Sequence, residues 1–246
     1  MKRALSRCDL AAVRVSGQYR DENLLHVASR FGHAGMVLLL LGCGVDKDKA
    51  DDAGATPLFT ACENGHLEVV RLLIEAEADK DKADNDGRTP LWIASQKGHL
   101  EIVRLLIEAE ADKDKANTDG RTPLWRASYN GRLEVVRLLV EAGANVDEGD
   151  DTPLSIASEE GHLEIVRLLV VAGADMNKEN RFDVLPLSIA RENGHLEIAK
   201  LLVEAGADDY SYSSSYNDYM TLHDDEYDDE YDDEIVEILQ RAGATG

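Results

Sequence analysis

Apolar residues return at intervals of three and four along several short stretches of the chain, as at Leu100, Val103, Leu106 and Ile107, which is the spacing of one buried helix face. Most of these stretches open just after a Gly-His pair. The pair stands at Gly32-His33, Gly65-His66, Gly98-His99, Gly161-His162 and Gly194-His195, with Gly131-Arg132 in series, so that it recurs after 33, 33, 33, 30 and 33 residues. Upstream of each lies a second shared segment: Asn23-Leu24-Leu25-His26, Thr56-Pro57-Leu58, Thr89-Pro90-Leu91, Thr122-Pro123-Leu124, Thr152-Pro153-Leu154 and Leu185-Pro186-Leu187. Six units therefore follow one plan.

The residue types explain the plan. Thr ahead of Pro supplies a side-chain oxygen to cap a helix and a first helical residue that has no N–H in need of a partner. A short helix is predicted from each Pro to the Gly of Gly-His, and a second helix follows. Gly143, Gly173 and Gly206 then stand where a left-handed residue ends that second helix, and an Asp-rich turn leads to the next Thr-Pro. Each helix is near or below the length at which a lone helix holds in water, so stacking must supply the stability.

A 33-residue period with Thr-Pro-Leu and with Gly-His-Leu-Glu followed by Ile or Val closely resembles the ankyrin repeat family. The resemblance implies an all-α fold, an α-solenoid of stacked helix–turn–helix units with short β-turn or hairpin fingers. It covers residues 21–207, about six units. Glu77 and Glu110 depart from it at the helix-ending Gly position, where a side chain in the left-handed region costs on the order of 1 kcal/mol. The fifth unit lacks three residues in its entry turn, over 146–150, which predicts a short finger. Residues 1–20 are expected to form an N-terminal cap with Leu5, Leu10, Val13 and Val15 buried. Residues 208–246 are expected to hold an acidic, tyrosine-rich insertion and then a capping helix, because 234–244 mirrors 197–207.

Charge narrows the partners. Against 26 Lys and Arg stand 49 Asp and Glu, a net charge of −23, and the resulting field repels phosphate backbones and anionic membranes. Nucleic acid and membrane are thus set aside as partners. Cys8, Cys43 and Cys62 have neither metal-ligand nor disulfide-framework spacing, which suits reduced thiols. With no signal-peptide core and no apolar run of membrane-spanning length, the expected address is the cytoplasm or nucleus, and the expected state a monomer.

Repeated histidines invite a zinc reading, but equivalent positions in stacked helices lie roughly 8–10 Å apart, whereas zinc holds nitrogen at about 2.0 Å. His33, His66, His99, His162 and His195 are therefore read as structural. The stretch from Lys82 to Gly87 fails as a calcium loop, since Lys82 and Ile93 occupy its first and twelfth ligand positions. No phosphate loop or nucleophile elbow is present, so neither a cofactor nor an enzymatic activity is expected. The Asp-Lys runs at 46–49, 79–82 and 112–115 read as solvated turns.

Units two to four nearly repeat one another in the second helix and differ in the turn and the end of the first helix. The resemblance places those variable positions on the concave face. Phe59, Trp92 and Trp125 share one register there, and Trp, Tyr and Arg are the types most enriched in binding hot spots. The candidate partner-binding set adds Arg88, Gln96 and Lys97 from the third unit, and Arg121, Arg126, Tyr129 and Asn130 from the fourth. The opposing reading wedges the aromatic rings between first helices as core. Function is thus read as a non-catalytic protein–protein interaction scaffold. The alternative is an acidic-tail regulator that engages basic proteins or shields its own binding face, drawn from the twelve acidic residues between Asp208 and Glu234.

Overall fold

The computed structural model describes residues 23–208, so the expected N-terminal cap and all of the acidic insertion and closing helix beyond Asp208 lie outside the described residues. The chain divides into two compact units, one ending at Ala144 and the other beginning at Asn145. The first holds four helix pairs: α1 (Leu24–Arg30) with α2 (Ala34–Gly42), α3 (Pro57–Asn64) with α4 (Leu67–Glu75), α5 (Pro90–Lys97) with α6 (Leu100–Glu108), and α7 (Pro123–Tyr129) with α8 (Leu133–Glu141). The second holds two: α9 (Pro153–Glu159) with α10 (Leu163–Val171), and α11 (Pro186–Glu192) with α12 (Leu196–Glu204). Within the first unit, first helices pack on first helices (α1, α3, α5, α7) and second on second (α2, α4, α6, α8); α9 packs on α11 and α10 on α12 in the other. The described residues form no extended strand, and the fold is all-α.

Each first helix begins as its sequence dictates. The hydroxyls of Thr56, Thr89, Thr122 and Thr152 accept the backbone N–H three residues on, at 3.1 Å in every case. Asn23 does the same for His26 at 3.0 Å, while Leu185 at the sixth start makes no such bond. The core of the first unit is a layer of leucines shielded from solvent in the first helices (Leu25, Leu58, Leu91, Leu124), backed by the Val/Ile/Leu stripe of the second helices, and Leu154 and Leu187 play the same part within the second unit.

The Gly-His pair now has a physical account. The His66 ring reaches back one repeat and donates from Nε2 to the carbonyl of Arg30 at 2.8 Å. His195 does so to Glu159 at 2.9 Å, and His99 to Glu63 at 3.3 Å. Arg132, which stands in for histidine in the fourth repeat, donates from Nε to Gln96 at 3.2 Å. The ring lies against the glycine of the preceding pair: a Cβ on Gly32 would sit 2.6 Å from His66 Nδ1, and one on Gly65 2.8 Å from His99 Cε1. The glycine is needed both for its left-handed φ and for this close approach. Histidine here is a clip between repeats.

The Asp-Lys runs prove to be more than solvated turns, and the sequence reading is corrected on this point. Asp48 Oδ1 accepts the N–H of Asp79 at 2.8 Å while Lys82 Nζ donates to the Asp48 carbonyl at 2.6 Å; Asp81 receives Asp112 and Lys115 in the same way. Asp147 repeats the pattern with Asp175 and Lys178 in the second unit. One carboxylate and one ammonium per turn thus tie repeats at three junctions, two in the first unit and one in the second.

The expected left-handed residues are found at Glu77 (φ 60°) and Glu110 (φ 61°), where the other repeats have glycine. In the finger turns, Asp51, Asp84, Asn117 and Asn180 each accept two backbone N–H groups of their own loop. The shortened fifth finger is closed differently, by Asn145 through Asp147 N–H and Glu148 Oε2. α2 departs from its counterparts: Leu38 takes the place of their arginine or lysine, and Met36, Leu38 and Leu39 are exposed.

Candidate functional site

The residues expected to contact a partner fall on α3, α5, α7 and the fingers that precede them. Their starting point is the third helical position, held by His26, Phe59, Trp92 and Trp125 in successive repeats. His26 Nε2 bonds the carbonyl of Ala55 at 3.0 Å, and Trp92 Nε1 donates to that of Arg121 at 2.9 Å, in both cases 29 residues on. In His26 and Trp92 the polar edge of the ring thus meets the backbone entering the next repeat. Phe59, Trp92 and Trp125 are only 3, 4 and 3% exposed. Their rings are core, and whatever they offer a partner passes through the groups that cover them.

Those groups are arginines. Arg88 lies 5.8 Å from the Phe59 ring centre and 6.0 Å from that of Trp92; Arg126 lies 5.1 Å from Trp92 and 5.0 Å from Tyr129; Arg121 lies 4.5 Å from Trp125. Tyr129, 36% exposed, stacks on Trp125 with ring centres 5.5 Å apart and 7° between planes. A guanidinium over an aromatic face gains about 0.5–2 kcal/mol according to its desolvation. The indoles thus support a cationic layer, in a protein whose overall charge is strongly negative.

The three arginines differ in their company. Arg88 is gripped by Asp84, whose Oδ2 lies 2.6 Å from Nη2 and 2.8 Å from Nε, and by Asp86 at 3.1 Å. Burial opposes the Arg88 charge, but the Asp84 hydrogen bond and the nearby carboxylates of Asp84, Asp86 and Glu63 outweigh it and raise the pKa above its ordinary value. Arg121 and Arg126 have no carboxylate partner among the described residues. Burial pulls the Arg126 pKa below its ordinary value, Tyr129 acts in the other direction, and repulsion from Arg121 and Arg88 lowers it further. Arg126 Nε and Trp125 Nε1 are buried donors without an acceptor, and so is the Ser128 hydroxyl.

The remaining candidates divide. Lys97 is exposed at the end of α5, and Gln96 is half-buried with its carbonyl held by Arg132. Asn130 turns its amide back onto the Arg126 carbonyl at 2.8 Å, closing the end of α7 as Asn64 closes α3 and Asn193 closes α11. Sequence reasoning missed Asp84, whose almost fully buried carboxylate orders the finger and fixes Arg88. Its signal was available: an Asp or Asn stands three residues before the finger glycine, at Asp51, Asp84 and Asn117.

Among the described residues no group of His, Cys, Asp and Glu converges as a metal site, and no helix is long and apolar enough to cross a membrane. No curated protein matches the chain in sequence. The family model of ankyrin repeats (3 copies) matches residues 25–117, 110–180 and 150–213. These matches run without a gap over well more than half of the 246 residues, in agreement with the helix pairs, the Thr caps and the Gly-His clips, and the chain therefore belongs to the ankyrin repeat family, whose repeats generally mediate protein–protein interaction.

Proposed function

We propose that the chain is a non-catalytic interaction module that binds a protein partner through the first-helix and finger face of repeats two to four, the concave side in this family. The observation that carries the reading is how charge is distributed over these repeats. On the second helices every arginine has a glutamate three residues before it: Arg71 with Glu68, Arg104 with Glu101, Arg137 with Glu134. On the opposite side Arg121 and Arg126, both half-buried, lie against aromatic rings instead of carboxylates. A cation left uncompensated beside large aromatic side chains is the make-up of a binding hot spot. The module works as a monomer in the cytoplasm or nucleus, without cofactor, nucleic acid or membrane.

Photo-crosslinking tests the reading. A crosslinking side chain at Lys97 or Tyr129 should capture a protein partner from a cell extract, with capture competed by the unmodified chain, and one at Arg71 or Arg104 should not. Equal capture from both sides would overturn the assignment of the face.

A further inference from the structure

Seven arginines of the described residues meet a carboxylate or a carbonyl, and Arg121 and Arg126 meet neither. Arg71, Arg104, Arg137 and Arg167 pair with glutamates, Arg88 and Arg181 with aspartates, and Arg132 with a backbone carbonyl; Arg30 and Arg191 are also engaged. That two arginines should be left over in a chain with 49 carboxylates is not a matter of supply. It is a matter of place. Both sit on aromatic faces, Arg121 on Trp125 and Arg126 between Trp92 and Tyr129, and both belong to the same finger and helix of the fourth repeat.

The arrangement is costly as it stands. Arg126 Nε is buried without an acceptor, and an unmet buried donor loses its hydration for nothing. Arg88 and Arg121 both repel Arg126. The Trp125 indole N–H, one residue along, also lacks the acceptor that its counterpart Trp92 finds in Arg121. An anion at this point would relieve the repulsion and meet the terminal guanidinium nitrogens, which are not among the buried atoms.

The geometry points to a carboxylate clamp: Arg121 and Arg126 together hold an aspartate or glutamate side chain from an acidic segment of the partner protein, with Arg126 resting against the Trp92 and Tyr129 rings. The inference rests on the binding face proposed above and narrows what that face takes. A guanidinium fork matches the two oxygens of a carboxylate, and stacking on an aromatic ring fixes its plane so that little freedom is lost on binding. A long polyanion is disfavoured, because the net charge of −23 repels phosphate chains that would extend beyond the clamp. A single side chain engages the two cations and little else.

Both tryptophans of the chain lie in this cluster, so intrinsic fluorescence reports on it directly. The full chain is titrated with end-blocked hexaglutamate, with hexaglutamine and hexalysine as controls, at low and at physiological salt. The expected result is a saturable change with hexaglutamate alone, weakened roughly tenfold or more by Arg126→Gln or Arg121→Gln, less by Arg126→Lys, and not by Arg71→Gln. Thermal melts confirm that the variants remain folded. No saturable response to hexaglutamate, or unchanged binding by both Arg→Gln variants, overturns the clamp. A further arm uses the full chain with Asp224, Asp225, Glu226, Asp228, Asp229 and Glu230 changed to their amides. Tighter binding by it would put the chain's own carboxylates in the clamp and overturn the assignment to a partner. A partner captured at Lys97 or Tyr129 regardless of Arg121→Gln and Arg126→Gln would remove the clamp and leave the interface; failure of that capture removes the interface itself.

Discussion

The second helices α4, α6 and α8 and the first helices α3, α5 and α7 share the same unit and the same period, yet they treat charge in opposite ways. A second helix buries a narrow stripe, such as Ile102, Val103 and Leu106, and sends Glu101 and Arg104 into water, where they meet at 3.7 Å. Pairs of this kind stabilise by only about 0.2–0.5 kcal/mol. A first helix buries nearly every side chain, from Pro90 to Ser95 in α5. What reaches solvent on that side comes from the finger and the last helical turn. Stability is therefore concentrated in the middle of the first helix, and the positions free to differ between repeats are those on either side of it.

The most direct way to break the comparison is to delete a large side chain from each layer. Trp92→Ala should cost about 3–5 kcal/mol, because it removes a buried ring, leaves Arg121 O without its donor and takes one of two aromatic contacts from Arg126, whereas Arg104→Ala should cost no more than about 0.5 kcal/mol. Denaturant unfolding of the two variants measures both. Equal losses would mean that the ring is not core.

Next in size is the clip between repeats. Gly65→Ala puts a Cβ 2.8 Å from the His99 ring at a φ of 78° and should destabilise by about 2–4 kcal/mol. Gly98→Ala meets the flexible Cδ of Arg132 at 2.9 Å, and about 1–2 kcal/mol is expected. Thermal melts of the pair should show the first clearly lower. If they coincide, the imidazole contact contributes nothing beyond backbone strain.

A smaller effect of opposite sign is expected at the end of α4. Glu77→Gly relieves a left-handed side chain at φ 60° and should raise stability by about 1 kcal/mol, seen as a higher denaturation midpoint, while the same change at the exposed, right-handed Glu75 should lower it.

The smallest effect is confined to the first described repeat. Burial holds His26 below its ordinary value of 6.5, against opposing contributions from the Ala55 hydrogen bond and Asp51 and with lesser reinforcement from Arg30 and Lys49. The folded chain keeps this ring neutral while the unfolded chain binds a proton, so its contribution is present above about 6.5 and is lost as the pH falls. His26→Phe, which supplies the ring found at Phe59, should flatten that part of the acid dependence. Its persistence in the variant would assign the slope elsewhere.

Much of this protein could be read without coordinates because its determinants are local. A threonine hydroxyl finds its N–H three residues away, a proline sets its own φ, and the place of Glu77 and Glu110 follows from the glycines of neighbouring repeats. Repeat number, helix ends, fold class and the structural standing of the histidines all follow from such short-range rules and from the period. The partners of the long side chains do not. His66 meets Arg30 O, Asp48 meets the Asp79 N–H and Trp92 meets Arg121 O across 29 to 36 residues, and the choice among rotamers is made only when neighbouring helices are packed together. The arginines show both cases: Asp84 four residues before Arg88 and Asn117 four before Arg121 already separate those two in the sequence, whereas only the packing of neighbouring first helices brings Trp92, 34 residues away, against Arg126.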